Sequence, residues 1–255
     1  MARTWPALEQ ESLGDWELRA SGGFTNRANA MVTSGAPGMP VAAALAAATS
    51  WYAVRSLPLK LVRTGPVGFE VGGVADEVSA VAIQRGCRAH SRAHVMVART
   101  SRVLEVCDAL GTPLIDEGSI DANAVRTATD LPAAWLTTYA CSRCLVPGVT
   151  ERVLMGSPGQ VFAWLTDDQG AVWAVARLGI VGRWGGLAAV WVEPARRRTG
   201  AGRALTVALV REAADRGIAC LHLQVEVDNA AAIALYAALG FELHHDYIYL
   251  TGPSR

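Results

Sequence analysis

Residues 190–205 constrain the fold of this chain more than any other segment. They read as a strand that stops at Pro194, a turn rich in arginine and glycine, and a helix with an apolar face that begins near Gly200. Free backbone amides at a helix start, beside glycines that let the backbone approach closely, make an anion site suited to a pyrophosphate. The segment therefore predicts a strand-to-helix crossover with arginines placed where phosphates would bind.

Three phosphate-binding motifs compete for this turn, and their spacing separates them. A Walker loop needs Gly-Lys-Ser/Thr, which is absent. The dinucleotide fingerprint needs a glycine or alanine three residues after Gly202, where Leu205 stands. The pattern that fits is Arg/Gln-x-x-Gly-x-Gly/Ala, met here by Arg197, Gly200 and Gly202. A second block, residues 229–241, reads Asn-x-x-Ala-x-x-Leu-Tyr-x-x-x-Gly-Phe.

These two blocks, in this order and at this separation, resemble the GNAT superfamily of N-acetyltransferases over residues 191–241. The resemblance implies the GNAT fold, acetyl-CoA as co-substrate and direct transfer of the acetyl group to a primary amine. By resemblance, Asn229 holds the pantetheine arm and Tyr236 lies beside the thioester sulfur. The residues that the resemblance assigns to acetyl-CoA are Val190, Trp191, Val192, Arg197, Arg198, Thr199, Gly200, Ala201, Gly202, Arg203, Asn229, Ala232 and Tyr236.

Tyr236 is the candidate general acid. The departing thiolate needs a proton, and a phenol within hydrogen-bond reach supplies one. The alternative is a core aromatic packed between helix and sheet, since Leu235 and Leu239 line a similar face. No cysteine lies in either block, so a covalent acyl-enzyme has no evident nucleophile.

The strand at 221–227 supplies the candidate base. Its alternation places His222, Gln224 and Glu226 on one face. Some peptide-acetylating relatives carry a glutamate base where this chain has Gln224, which takes no proton. Glu226 is therefore the second catalytic candidate, with a water chain as the alternative, and His222 is expected to be structural.

The first half of the chain carries a second resemblance. Residues 16–29, the helix that ends near Trp51-Tyr52 and the terminal His-His-x-Tyr-x-Tyr run resemble an actinobacterial GNAT subgroup described as N-acetylglutamate synthase-like. This resemblance implies L-glutamate as the acceptor, in arginine biosynthesis. A protein or peptide N-terminal acetyltransferase is the runner-up, because residues 229–241 are equally similar to that group. A non-catalytic acyl-CoA-binding module is a third interpretation.

Candidate acceptor-binding residues are polar side chains of the first half and of the strand at 221–227. Arginine binds carboxylates through two parallel hydrogen bonds, which suits an amino-acid acceptor. A solvated strand edge with surface arginines is the alternative interpretation. The candidates are Arg19, Asn26, Arg27, Asn29 and Gln224.

Periodicity and turn residues predict an α+β fold with a mixed sheet. One helix is predicted to start after Asp130 as its N-cap, and residues 24–32 are expected to be extended. The predicted helices are 41–55, 75–85, 132–145, 200–216 and 230–239. The predicted strands are 16–21, 59–62, 94–98, 160–165, 171–180, 186–192, 220–227 and 241–250.

The helix and strand periodicity is lost over residues 110–130, which predicts a domain boundary near Val125. Residues 1–125 are then an N-terminal GNAT-like domain on the acceptor side, and residues 126–255 are the GNAT domain. Trp51-Tyr52 can be overlaid on Leu235-Tyr236, which indicates that the first half is a degenerate copy of the second. It lacks the arginine-glycine turn and is not expected to bind its own acyl-CoA.

Composition limits the classes of partner. With 23 basic and 23 acidic residues, and no basic run beyond 196–198, a general nucleic-acid or anionic-membrane binder is excluded. The longest apolar stretch, 41–54, is shorter than the ~20 residues that span a bilayer, and no leader pattern is present, so we expect a cytoplasmic protein. The expected partner is a small-molecule amine. The oligomeric state stays open, with a homodimer as one alternative.

The cysteines and histidines predict no metal site. Cys141 and Cys144 lack a second ligand pair, and we expect them to be buried in a helix. His244 and His245 are adjacent on a strand, so their side chains are expected to point to opposite faces.

Overall fold

The computed structural model describes residues 2–72, 76–109 and 120–253 and confirms the predicted mixed sheet. The strands found in these ranges are β1 Glu9–Leu13, β2 Trp16–Ala20, β3 Met31–Val32, β4 Lys60–Gly65, β5 Arg88–Arg99, β6 Arg126–Ala128, β7 Gly159–Thr166, β8 Val172–Val181, β9 Trp184–Val192, β10 Cys220–Glu226 and β11 Glu242–Thr251. The helices are α1 Val41–Val54, α2 Glu77–Gln84, α3 Thr100–Ala109, α4 Ala133–Ala140, α5 Thr150–Met155, α6 Ala201–Asp215 and α7 Ala230–Ala238. The strand order in the sheet is β1-β2-β3-β4-β11-β5-β10-β9-β8-β7-β6.

The sheet contains two arrangements of the same kind, one from each half of the chain. In the first half, the parallel strands β3 and β4 are joined through α1. In the second, the parallel strands β9 and β10 are joined through α6. A further helix, α2 or α7, and a long strand, β5 or β11, follow in each case. The first half therefore repeats the connectivity of the second.

The two long strands interlock the halves at the centre of the sheet. Strand β5 lies between β10 and β11 and pairs antiparallel with both. Strand β11 in turn lies between β5 and β4. Because an unpaired strand leaves a row of backbone donors and acceptors open, each half depends on the other to complete its part of the sheet.

The residue overlay that indicated the repeat is wrong. Tyr52 lies on α1, whose counterpart is α6, whereas Tyr236 lies on α7, whose counterpart is α2. The overlay matched a short residue pair and ignored chain connectivity, which is the property that the repeat preserves. Tyr52 is fully buried, and its hydroxyl accepts a hydrogen bond from Arg19 N at 3.3 Å and donates one to Arg19 O at 3.0 Å.

Helix α6 packs against β7, β8 and β9 and fixes the position of the glycine-rich turn that precedes it. Leu205, Leu209 and Ala213 are fully buried at a helical spacing of four. Burying one leucine contributes roughly 1.5–3 kcal/mol, so this face holds the helix to the sheet. Gly200 is the N-cap, with φ of 80°, a left-handed value that glycine adopts without strain. The predicted strand-to-helix crossover is confirmed.

Some predicted elements differ from the observed ones. Residues 24–30 form a loop with a turn at 26–28, so the expected extended chain is confirmed only at β3. The helix predicted at 132–145 is too long, because α4 ends at Ala140 and a separate helix, α5, follows. Asp130 is not the N-cap of α4; Pro132 occupies that position and no side chain caps the helix.

The helix predicted at 75–85 begins at Glu77, and the Asp76 side chain caps it by accepting a hydrogen bond from Ser79 N. Helix α3 was not predicted. Residues 73–75 and 110–119, which include the first ten residues of the predicted linker at 110–130, lie outside the described residues. Among the helices that the structure describes, none has the length and apolar character needed to cross a bilayer.

The expectation for the Cys-x-x-Cys pair is also wrong. Cys141 and Cys144 are both exposed. They follow the end of α4 at Ala140, in the turn and irregular segment that precedes α5.

Candidate active site

A cleft opens in the sheet where β9 and β10 separate. The two strands pair in parallel up to Leu187 and Leu223, and their register ends there. Beyond this pair, residues 188–191 and 223–226 line a cavity of about 440 Å³. This volume lies within the ~300–1,000 Å³ of typical small-molecule sites.

Strand β9 carries a bulge at the edge of the cleft. Opposite Ala176 of β8, β9 holds two residues, Ala189 and Val190. Ala189 has φ of 55°, outside the range of a regular strand. A bulge takes peptide groups out of the ladder and re-aims the chain, so backbone amides here are open to a ligand. Val190 and Trp191, both predicted to contact acetyl-CoA, line the cleft.

The glycine-rich turn lies between β9 and α6, outside the cleft lining. Left-handed φ values at Arg198 (68°) and Gly200 (80°) fold the chain so that α6 starts directly after the turn. The first amides of a helix have no intrahelical acceptor, and the arginines add positive charge beside them. The turn therefore fits a pyrophosphate. The predicted residues that it brings together are Arg197, Arg198, Thr199, Gly200, Ala201, Gly202 and Arg203.

Val192 ends β9 at this turn rather than in the cleft. Its carbonyl accepts a hydrogen bond from Arg197 Nε at 3.3 Å. The contact ties the first arginine of the motif to the end of the strand.

Helix α7 begins at the mouth of the cleft. Asn229 is its N-cap, and the Asn229 side-chain oxygen accepts a hydrogen bond from Ala232 N at 3.1 Å. Both residues line the cleft. The amide nitrogen of Asn229 donates to none of the described residues, so it is available to a ligand in the cleft.

Tyr236, one turn beyond Ala232 on α7, belongs both to the core and to the cleft lining. Its ring packs edge-on against Phe241, with centroids 5.9 Å apart, and the residue is 6% exposed. Its side chain also lines the cleft, and its hydroxyl bonds to no other described residue. Burial raises the pKa of Tyr236 to about 12, so the phenol keeps its proton at neutral pH. The core and cleft interpretations of this residue are therefore compatible.

Strand β10 presents Gln224 and Glu226 to the cleft. The Gln224 side-chain oxygen accepts a hydrogen bond from the Tyr247 hydroxyl at 3.2 Å. Glu226 is exposed and has no ion pair within the described ranges. His222 is 3% exposed, lies outside the lining and bonds to Thr4 through Nε2 at 3.0 Å. Burial lowers the pKa of His222 to about 3, so His222 is neutral.

The loop between β2 and β3 forms the acceptor end, and its predicted residues divide into two groups. Asn26 and Arg27 line the cleft. Asn29 does not: its side-chain oxygen accepts hydrogen bonds from Ser21 N and Gly23 N. These two hydrogen bonds fix the conformation of the loop.

Arg19 is likewise outside this cleft. It is 2% exposed, and its guanidinium donates to the backbone oxygens of Trp5 and Arg27 at 2.8 and 2.9 Å. Burial lowers the pKa of Arg19, although the ion pair with Glu17 at 3.2 Å opposes this effect. Arg19 thus fixes the position of the Arg27 backbone through its hydrogen bond to the Arg27 carbonyl oxygen.

The rest of the lining was not predicted as part of the site. These residues come from segments far apart in the sequence, and no local motif marks them. Among them, Tyr247 and Tyr249 belong to the terminal His-His-x-Tyr-x-Tyr run that carries the subgroup resemblance. They include Trp5, Ser91, Ala93, Tyr139, Ser142, Arg143, Tyr247 and Tyr249.

The two terminal histidines were expected to point apart, and this is wrong. Their Nδ1 atoms are 2.8 Å apart in the structure. A register shift between Leu243 and His245 interrupts the strand alternation and brings both rings to one side. No set of three or more potential metal ligands occurs in residues 2–72, 76–109 and 120–253.

Comparisons with known proteins agree with this architecture. A family model described as "Probable histone acetyltransferase Rv0428c C-terminal" matches residues 1–250. The chain is 36% identical over 121 residues to the [ribosomal protein bS18]-alanine N-acetyltransferase of Salmonella typhimurium, covering 46% of this chain and 78% of that protein. It is 26% identical over 255 residues to the uncharacterized N-acetyltransferase YobR of Bacillus subtilis, covering 97% and 94%.

A solved structure shows the same fold. The GCN5-related N-acetyltransferase from Kribbella flavida superposes with a TM-score of 0.65 at 18% identity, covering 97% of this chain and 90% of that one. In this chain the separated strands β9 and β10 and the bulge of β9 belong to one continuous sheet, and the glycine-rich turn follows β9. The chain belongs to the Rv0428c C-terminal family, within the GNAT superfamily of acetyl-CoA-dependent N-acetyltransferases.

Proposed function

We propose that this enzyme transfers the acetyl group directly from acetyl-CoA to a primary amine held at the loop end of the cleft. The observation that carries the proposal is Tyr236, which lines the cleft, keeps its phenolic proton at neutral pH and makes no hydroxyl hydrogen bond to another described residue. The glycine-rich turn and Asn229 support binding of the pyrophosphate and pantetheine parts of acetyl-CoA. A site that binds both substrates together needs no covalent acyl-enzyme.

The chemistry requires one proton donor and one proton acceptor. The amine nitrogen attacks the thioester carbonyl, the carbon–sulfur bond breaks, and the proton of the Tyr236 hydroxyl goes to the leaving sulfur. Backbone amides at the bulge of β9 stabilise the charge on the carbonyl oxygen. The proton lost by the amine goes to Glu226 or to water, because Gln224 takes none.

The acceptor is the finer part of the proposal. The sequence resemblance favours L-glutamate, which would place the enzyme in arginine biosynthesis in the cytoplasm. A protein or peptide amine is the second candidate, because the Salmonella relative is named for a ribosomal protein and the family description names histones. We further propose that residues 1–125 act as the acceptor-side domain for residues 126–255.

Release of free thiol from acetyl-CoA tests this proposal directly. We would measure it with a panel of L-amino acids and short peptides, with wild type and Tyr236→Phe side by side. Release with glutamate that collapses in the variant supports both acceptor and acid. Release only with peptides moves the acceptor to the second candidate. Binding of acetyl-CoA without release from any acceptor identifies a non-catalytic acyl-CoA sensor and refutes the proposal.

A further inference from the structure

One wall of the cleft carries two arginines that form no ion pair with a described carboxylate. Arg27 is half-buried over the Trp5 ring, with its guanidinium carbon 5.4 Å from the ring centroid. Arg143 lies over the Tyr139 ring at 5.2 Å. Both arginines line the cleft, and neither has an ion pair with any residue that the structure describes.

A third arginine behind this wall strengthens the field. Arg177 is fully buried and lies 5.3 Å from the Trp5 ring centroid. Among the described residues its guanidinium donates to three neutral oxygens, those of Leu154, Thr4 and Ser157. Its charge is therefore not cancelled locally, and in a poorly solvated wall a charge acts over a longer range than in water.

The same wall contains a buried hydroxyl without a partner. Tyr139 is 1% exposed and lines the cleft, yet its hydroxyl bonds to no described residue. Leaving a buried donor unsatisfied costs free energy, so a buried hydroxyl without a partner calls for an explanation, and a bound ligand provides one. Burial raises the pKa of the Tyr139 hydroxyl, and the charges of Arg143, Arg27 and Arg177 oppose this effect.

We propose that Arg27, Arg143 and the Tyr139 hydroxyl form a carboxylate site, so that the acceptor is a small amine that carries a carboxylate, such as a free amino acid. The inference rests on the proposed acetyl transfer and names its substrate class. Arg143 and Tyr139 lie on the segment after β6, and Arg27 lies on the loop between β2 and β3, so a carboxylate bound between them bridges the two halves of the chain. An uncharged amine would leave both guanidinium groups and the hydroxyl unpaired.

The test compares an amino acid with its carboxamide, which keeps the amine and removes the negative charge. We would measure kcat/KM for both acceptors in wild type, Arg143→Gln and Arg27→Gln. Arg183→Gln is the matched control, because Arg183 is an exposed arginine in the turn between β8 and β9. Comparing the acid-to-amide ratio between proteins cancels the difference in amine pKa between the two acceptors.

We expect wild type to prefer the acid, and Arg143→Gln to lower kcat/KM for the acid about 10- to 100-fold through KM. The kcat/KM for the amide, the KM for acetyl-CoA and the Arg183→Gln enzyme should change less than threefold. Tyr139→Phe should reduce the same preference to a smaller degree. Equal use of acid and amide by wild type, or an equal loss for both acceptors in Arg143→Gln, overturns the carboxylate site.

A binding measurement separates this inference from the proposed function. Calorimetric titration of the amino acid into enzyme saturated with CoA reports the carboxylate site without turnover. Tighter binding of the acid than of the amide, lost in Arg143→Gln, supports the site even if the chemistry differs from our proposal. Equal binding of acid and amide refutes the site. Transfer to uncharged peptides alone refutes it while acetyl transfer itself stands.

Discussion

Tyr236 and Tyr52 show how residues of one type serve different purposes in the two halves. Both are buried tyrosines on helices that pack against the sheet. The Tyr52 hydroxyl bonds to the backbone N and O of Arg19, whereas Tyr236 lines the cleft and its hydroxyl has no partner among the described residues. The first arrangement is structural, and the second leaves a proton donor available.

We expect Tyr236→Phe and Tyr52→Phe to separate activity from stability. Tyr236→Phe keeps the ring contact with Phe241, so it should reduce kcat about 100-fold with little change in urea unfolding. Tyr52→Phe leaves the Arg19 backbone groups unpaired and should lower the free energy of unfolding by about 1–3 kcal/mol with little change in kcat. A Tyr236→Phe enzyme within twofold of wild type would contradict the acid role.

His222 should make stability depend on pH. Its folded pKa, about 3, lies below the ~6.5 of an unfolded histidine, so the unfolded chain binds more protons below pH 6.5. The contribution of neutral His222 to the free energy of unfolding is therefore fully present above pH 6.5 and is lost as the pH drops toward 3. Linkage gives a loss of about 2 kcal/mol between pH 8 and pH 5.

Urea unfolding of wild type and His222→Gln across this range measures the effect. The glutamine can still bond to Thr4, and it does not titrate. The difference between the two proteins isolates His222 from carboxylates that begin to titrate near pH 5. Parallel stability curves for the two proteins would show that His222 is not the group responsible.

At the scale of elements, the start of α6 depends on one backbone conformation. Gly200→Ala places a side chain at φ of 80°, which costs about 1–2 kcal/mol for a non-glycine residue. The turn should relax away from this geometry, so we expect the KM for acetyl-CoA to rise at least fivefold. Equilibrium binding of acetyl-CoA measures the same change without the acceptor.

Gly202→Ala is the matched control for this prediction. Gly202 lies inside the first turn of α6, and an added Cβ would meet only Leu235 Cδ2 at 3.4 Å. An alanine there also improves helix propensity. We expect binding of acetyl-CoA to stay within twofold of wild type, and equal losses in the two variants would contradict a conformational role for Gly200.

Elements with a strong local pattern could be predicted from the sequence, and those decided by the sheet could not. The hairpin of β8 and β9 and the crossover into α6 follow from alternation, turn residues and an apolar helical face. Strand β5 was predicted only at 94–98, because its first residues include Arg88, His90 and Arg92 and lack strand character. Pairing with β10 and β11 extends it to Arg88–Arg99, since a central position in a sheet overrides intrinsic propensity.

The same distinction divides the candidate site. Its acetyl-CoA side consists of two contiguous motifs, and the family resemblance that they carry made Asn229 and Tyr236 candidates, both of which line the cleft. Its acceptor side is assembled from residues such as Trp5, Tyr139 and Arg143, which only the tertiary fold brings together. No periodicity or spacing in one sequence reports such proximity.

For the whole molecule, the interlocked strands imply that the halves do not fold separately. Residues 126–255 alone would lack β5, and residues 1–125 alone would lack β11. We expect neither fragment to unfold cooperatively when expressed by itself, and the two fragments to form a complex that binds acetyl-CoA when co-expressed. Circular dichroism during urea unfolding checks both expectations, and a cooperative transition for residues 126–255 alone would contradict them.

The position of β11 also determines when the sheet can be completed during translation. The ribosome delivers β4 and β5 early, but the strand that lies between them is the last of the eleven to emerge. Until then β4 and β5 each present an unpaired edge, and such edges are templates for association with other chains. A nascent chain that stops before Glu242 therefore exposes the edges of both β4 and β5, and we expect a chaperone to bind this species.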